Sequence, residues 1–262
     1  MGKTTRRTGK LENEKKLVME KDEYIFGTRA VIEAINTGKN IEKVFIKTGL
    51  SNELVHQLIS LIKENEIAFQ FVPIEKINRI TRKNHQGVLA FISPVEFTSI
   101  EMLLPVLFEK GREPLLLVLD QITDVRNFGA IVRSAECAGV DAVIIPEKGM
   151  ARIGADAIKT SAGALHHVPV CKVTNLFRTI QFLKDSGIQI VAATEKADKI
   201  YTQGNFKNPV AIVMGSEESG ISQTILNICD QQLKIPLFGS IESLNVSVSA
   251  ALMIYEAVRQ RS

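Results

Sequence analysis

Five segments of the chain are apolar at nearly every position: PLLLVLD (114–120), DAVIIP (141–146), HVPVCKV (167–173), IQIVAATE (188–195) and PVAIVMG (209–215). A strand with one wet face alternates apolar and polar residues, whereas a strand without alternation is covered on both faces. Separated mostly by segments of helical period, these strands predict an α/β domain with a parallel sheet and helices on each side. Ligands in such sheets sit beyond the carboxyl ends of the strands, so the residues that follow the strands are where chemistry is expected.

The chain before these strands has a different texture. GTRAVIEAINTG (27–38) spaces Val31, Ile32 and Ile35 as an amphipathic helix closed by glycine, and IEKVFIK follows as a strand. ELVHQLISLIKENE is helical by period, IAFQFV a strand, IEKINRITR a short helix, and GVLAFISP a strand ended by Pro94. A small α/β unit over 22–95 is expected. Residues 96–113, with Pro105 and Gly111, read as a linker with room for one short helix, and 114–262 as the sheet domain. Residues 1–21 read as a disordered tail. Lys3, Arg6, Arg7 and Lys10 meet no acid in its first ten residues, which leaves a solvated leader and an RNA-contacting arm both open.

At 45% hydrophobic and 262 residues the chain has material for one large or two medium cores. No apolar run reaches the length of a membrane span, and no apolar stretch follows the charged N-terminus as in a signal peptide, so a cytoplasmic protein without a membrane partner is expected. Cys137, Cys171 and Cys229 lie far apart and lack the spacing of a zinc site or disulfide framework; no metal is expected. His166 and His167 have no acidic partner at metal spacing and read as structural, while His85, in NHQG at a strand entrance, reads as a turn or RNA-surface residue. The net charge of +3 alone says little about nucleic acid.

Three strand ends carry unusual residues. In DQITDVRNFGAIVRSAECAG, Asn127 falls where a helix begins and Arg133 within its first two turns, so that both face one site or serve merely as a cap and a surface arginine. AIVMGSEESGIS (211–222) runs a buried strand into a glycine loop. Its Gly215–Gly220 spacing matches the start of a phosphate-binding loop, but Ile221 stands where the lysine belongs, and no dinucleotide G-x-G-x-x-G is present. Adjacent Glu217 and Glu218 would also repel phosphate. The third, IPLFGSIESLNVSVSAALMIYEAVRQR, opens on a Pro-Leu strand, passes through Gly, Ser, Leu and Asn, and begins its last helix on a Ser-x-Asn pair.

Together, DVRNFGAIVRSA, IVMGSEESGIS and the final segment resemble the three motifs of the SpoU (TrmH-like) RNA 2'-O-ribose methyltransferases of the SPOUT superfamily, over about residues 114–262. FGTRAVIEAI and NHQGVLAFI resemble the substrate-binding domain of the ribosomal-RNA members, which is similar to ribosomal protein L30e. The resemblance implies a carboxyl-terminal sheet domain tied in a deep trefoil knot, which forms an S-adenosylmethionine pocket, preceded by an L30e-like α/β domain that binds RNA. By carry-over, Thr194, Met214, Gly215, Ile235, Leu237 and Leu244 surround the cofactor, with much of the recognition by backbone groups. The catalytic set it implies is Asn127, Arg133, Glu217, Ser243 and Asn245.

A ribose 2'-hydroxyl is a poor nucleophile that must lose its proton as it attacks the sulfonium methyl, so activation and alignment are the enzyme's tasks. The family's arginine, here Arg133, is regarded as a general base; because a guanidinium stays protonated to about pH 12, a clamp on RNA phosphate is the alternative. Asn127, Ser243 and Asn245 would orient the ribose and Arg133, with Glu217 pairing with Arg133 or positioning the ribose. Arg29, Arg79, Arg82, Lys83 and His85 are the candidate RNA contacts of the amino-terminal unit. The likeness across both units favours a guanosine of 23S ribosomal RNA, in the manner of the RlmB-type enzymes, over transfer RNA, and implies a homodimer through the carboxyl-terminal domain. A non-catalytic RNA-binding or assembly factor on the same fold is the rival. One residue departs from the pattern: Glu218 stands where many members have glycine, and a positive φ there would strain the loop.

Overall fold

The computed structural model describes residues 24–151 and 153–262; the basic tail lies outside them. The chain divides into one unit ending at Pro94 and another running from Val95 to Ser262.

The first unit contains β1 (Tyr24–Phe26), α1 (Thr28–Asn36), β2 (Ile41–Lys47), α2 (Glu53–Glu64), β3 (Phe69–Val72), α3 (Ile74–Asn78) and β4 (Val88–Ile92). Its four strands lie in the order β1-β4-β2-β3, with β2 and β3 parallel and the other pairs antiparallel. Val31, Ile32 and Ile35 of α1 pack with Val55, Leu58 and Ile62 of α2 on Val44 and Ile46 of β2, the helical spacing expected from the sequence. The Asn52 side chain caps α2 by accepting from Val55 N.

The second unit contains α4 (Ile100–Glu109), β5 (Leu115–Leu119), α5 (Val125–Cys137), β6 (Ala142–Pro146), α6 (Ala155–Thr160), β7 (Val170–Val173), α7 (Leu176–Asp185), β8 (Gln189–Ala193), β9 (Lys199–Ile200), β10 (Val210–Met214), α8 (Gln223–Leu226), β11 (Gln231–Lys234) and α9 (Val246–Arg261). All seven strands are parallel, in the order β7-β6-β5-β10-β8-β11-β9. Every residue of β5 and β10 is buried, which accounts for the missing alternation. Each leucine so buried contributes about 1.5–3 kcal/mol, an upper bound because the unfolded chain also hides apolar surface.

The two faces of the sheet have separate cores. On one, Phe128, Ile131, Val132 and Ala135 of α5 meet Ala250, Met253, Ile254 and Ala257 of α9. On the other, α4, α7 and α8 cover β5, β8 and β10. Gly129 permits the crossing of α5 and α6: a Cβ there would stand 2.3 Å from Thr160 Oγ1.

One feature goes further than the expectations and one differs from them. Residues 100–109 form a ten-residue helix with Pro105 inside it, because Ile100, Leu104 and Leu107 recur at helical spacing and bury their side chains in the second core. The Pro-Leu segment is not a strand. The strand is the more polar Gln231–Lys234, which stops before Ile235, and Pro236 has no N–H to extend a ladder.

Candidate active site

Beyond the carboxyl ends of β10, β8 and β11, three neighbours in the sheet, lies a cavity of about 380 Å³. Its walls include Thr194 at the end of β8, Met214 and Gly215 at the end of β10, Ile235 after β11, and Leu237 and Leu244 on the way to α9. All six residues expected around a cofactor therefore stand around one cavity. Thr194 is held by its backbone N–H, which donates to Leu233 O at 2.9 Å across the sheet.

The Gly215–Gly220 loop closes on itself. Ser216 and Gly220 exchange backbone hydrogen bonds of 3.1 and 3.0 Å, and Ser219 N donates to Ser216 Oγ at 3.0 Å. A Cβ on Gly215 would lie 2.1 Å from the Gly220 carbonyl carbon, so the turn requires glycine by close approach of its own backbone. The strain anticipated at Glu218 is absent: among the described residues the positive-φ non-glycines are Glu66, Gln86, Gln121 and Ala162, and within this loop only Gly220 takes a positive φ, at 68°. Glutamate is accommodated because the tight position is Gly215 and the left-handed one is Gly220.

Three of the expected catalytic residues meet. Asn245 Nδ2 donates to Glu217 Oε1 at 2.6 Å and to Asn127 Oδ1 at 3.0 Å, joining the loop, the first turn of α5 and the start of α9. Glu217 Oε1 also accepts from Val246 N at 3.1 Å, while Asn245 Oδ1 accepts from Ser247 N at 3.0 Å. A carboxylate at a helix amino terminus satisfies an otherwise open N–H and meets the positive end of the helix dipole. Asn127 is not itself a cap. Asp124 caps α5, accepting from both Arg126 N and Asn127 N at 2.8 Å, and so fixes where Asn127 points. Ser243 lines the cavity.

Arg133 does not join this group. Six helical residues carry it about 240° round α5 from Asn127, and it stands exposed, outside the cavity lining and without an ion pair to Glu217. Glu217 is instead engaged by Asn245 and Val246. Sequence reasoning also missed Glu195, Lys196, Glu242 and Ser249 in the cavity wall. Glu195 and Lys196 directly follow Thr194 and Glu242 directly precedes Ser243, so adjacency was the available signal, while Ser249 comes in on the first turn of α9. Asp124 was missed as well, with the cap read onto Asn127; its signal is an acidic residue just ahead of a helical run.

In the amino-terminal unit Arg29, Arg79, Arg82 and Lys83 are exposed, and Lys83 Nζ lies 5.8 Å from the Phe26 ring centroid. Of the two readings of His85 the structure shows the turn: the residue is buried, with Nε2 on Asn78 Oδ1 at 2.8 Å and Nδ1 accepting from Gly87 N at 3.0 Å, so both ring nitrogens are engaged in the turn.

The SpoU rRNA Methylase family model matches residues 114–255, and a model for RNA 2'-O ribose methyltransferase substrate binding matches residues 24–98. The chain belongs to the SpoU family of RNA methyltransferases. A Staphylococcus aureus (strain MSSA476) relative, named for the TrmH family of tRNA/rRNA methyltransferases, is 38% identical over 240 residues, covering 92% of this chain and 97% of the relative. Among solved structures, the SpoU methyltransferase AviRb from Streptomyces viridochromogenes, in complex with the cofactor AdoMet, superposes with a TM-score of 0.58 at 22% identity. That likeness covers 99% of this chain and 94% of AviRb and establishes the fold. The TrmH/SpoU tRNA modifying enzyme of A. aeolicus matches with a TM-score of 0.53 at 31% identity over 57% of this chain and 76% of its own. As a SpoU methyltransferase the chain is an enzyme acting on RNA, and no helix among its described residues is long and apolar enough to cross a membrane.

Proposed function

We propose that this SpoU enzyme methylates a ribose 2'-hydroxyl in RNA, a guanosine of 23S ribosomal RNA, with S-adenosylmethionine bound in the cavity beyond β10, β8 and β11. The observation that carries this reading is the Asn127–Asn245–Glu217 junction beside that cavity, because it places neutral donors and a fixed carboxylate where a ribose would approach. The cavity fits the cofactor in kind. It offers apolar walls from Met214, Leu237 and Leu244 for an adenine and carboxylates from Glu195, Glu218 and Glu242 for cationic groups, and strand-end backbone for hydrogen bonds.

Once bound, the cofactor supplies an electrophilic methyl on a positive sulfur. The protein's part is alignment. Asn127 and Asn245 hold the ribose edge, Glu217 keeps Asn245 in one orientation, and Ser243 orients the 2'-hydroxyl from the cavity wall; the hydroxyl proton would pass to solvent water as its oxygen takes the methyl. Arg133, exposed and unpaired among the described residues, is free to meet an RNA phosphate, which favours the clamp over the base.

The amino-terminal unit would add affinity through Arg29, Arg79, Arg82 and Lys83 and no chemistry. The matched substrate-binding model supports this division, and the match to the SpoU rRNA Methylase family model supports ribosomal RNA as the target. A homodimer through the second unit is supported by Val248 and Tyr255, seven residues apart on one exposed stripe of α9. The knot is supported by the insertion of β10 between β5 and β8. The enzyme would act in the cytoplasm. Mapping 2'-O-methyl sites in ribosomal and transfer RNA from cells with and without this protein tests the target. Loss of one ribosomal guanosine methyl is expected, and loss of a transfer-RNA methyl alone would overturn the ribosomal assignment.

A further inference from the structure

Asp120 lies outside the cavity, one strand away from it, yet it touches both ends of the loop that forms one wall. It follows β5 directly and is only 6% exposed. Its backbone N–H donates to Met214 O at 2.8 Å, where the loop leaves β10. Its Oδ2 accepts from Ser222 N at 2.8 Å, where the loop enters α8. Between these two points run Gly215 to Gly220, all six of which line the cavity.

We propose that Asp120 is a positioning residue for the cofactor, setting the separation of the two ends of the Met214–Ser222 loop and through it the width of the pocket; this rests on the cavity being the S-adenosylmethionine site. The loop is rigid within itself, because Ser216 and Gly220 are paired and Gly215 admits no side chain. A rigid turn held at both ends moves as a body when one end is released. Its outer face is tied to α9 through Glu217, so release at Ser222 would pivot the wall about that point rather than unfold it. A buried carboxylate is a strong acceptor for a backbone N–H, and no other described side chain receives the Ser222 N–H. Asp120 touches neither the cavity nor the Asn245 junction, which separates its effect from catalysis.

The test uses the full chain and three variants. Asp120→Ala removes the acceptor. Ser222→Pro removes the donor at a residue whose φ of −59° already suits proline. Asp120→Asn keeps an acceptor oxygen. S-adenosylmethionine affinity is measured by calorimetry, RNA affinity by gel shift without cofactor, and methyl transfer at saturating cofactor. Asp120→Ala and Ser222→Pro are each expected to weaken cofactor binding about tenfold to a hundredfold, with RNA affinity unchanged and most of kcat recovered at saturation. Combined, they should cost little more than either alone, because both remove one contact. Asp120→Asn should stay within a few-fold of the parent. If Asp120→Ala fails to fold, Ser222→Pro and Asp120→Asn decide. Parent-like cofactor affinity in a folded Ser222→Pro, parallel loss of cofactor and RNA affinity, or Asp120→Asn as weak as alanine would each overturn the proposal. No cofactor binding by the parent chain would instead overturn the assignment of the cavity.

Discussion

Asn245 and Glu217, twenty-eight residues apart in sequence, are joined by a hydrogen bond of 2.6 Å from Nδ2 to Oε1, and this contact fastens the glycine loop after β10 to the first turn of the last helix. Because Val246 N shares the same oxygen, one carboxylate serves as both helix partner and side-chain anchor. Glu217→Ala is expected to lower stability by about 1 kcal/mol, a value discounted for the exposure of the group, and to cut methyl transfer more than tenfold. Glu217→Gln, which keeps one oxygen, should fall between alanine and the parent. Thermal melts and single-turnover rates read the two effects separately.

Gly215→Ala is expected to open the loop, since its Cβ would land 2.1 Å from backbone that cannot move aside cheaply. A stability loss of about 1–3 kcal/mol and loss of measurable S-adenosylmethionine binding should appear together in melts and calorimetry. Glu218→Ala, at a solvent-exposed position of the loop, should change stability by no more than about 0.5 kcal/mol.

Much of this was readable from the sequence, and the exceptions have physical causes. β5, β6 and β10 announce themselves because burial on both faces forces Leu115–Leu119, Ala142–Ile145 and Val210–Met214 to be apolar throughout. β11 and β9 do not, since the outer strands of the sheet are partly exposed and Gln231, Gln232 and Lys199 suit them. The sequence allows for a short helix in 96–113 but does not show its place in the core, because proline marks a break locally while the buried stripe of Ile100, Leu104 and Leu107 decides the outcome in the fold. At the site, Asn127, Glu217 and Asn245 are visible by motif, but their mutual hydrogen bonds depend on three chain segments meeting. His85 reads as a turn residue from the glycine two places on, but its burial and its bond to Asn78 depend on the fold around it.

Arg133→Ala is expected to leave stability within about 0.5 kcal/mol of the parent and cofactor affinity unchanged, because the side chain is exposed and lies outside the cavity lining. RNA binding should weaken, and the rate deficit should shrink as RNA concentration rises. Arg133→Lys should retain part of the activity by keeping the charge. Near-zero single-turnover rates for both variants at saturating RNA, with RNA affinity unchanged, would favour the arginine base instead.

The cysteines should react unequally. Burial, with a lesser contribution from Glu101, pushes the Cys171 thiol up to about 12, and burial with Asp230 nearby does the same to Cys229. A raised pKa keeps the thiol protonated at pH 8, and the thiolate is the reactive form. Exposed Cys137 should therefore take up one equivalent of iodoacetamide per native chain at pH 8, with three equivalents after unfolding, as counted by intact mass.

Transfer of a labelled methyl group from S-adenosylmethionine to RNA by the purified full-length chain, followed by complete nuclease and phosphatase digestion, tests the account most directly. The label is expected in a single 2'-O-methylnucleoside, 2'-O-methylguanosine, with Asn245→Ala reducing incorporation more than tenfold while cofactor binding persists. Label on a nucleobase, or no transfer by a chain that binds both cofactor and RNA, would contradict it.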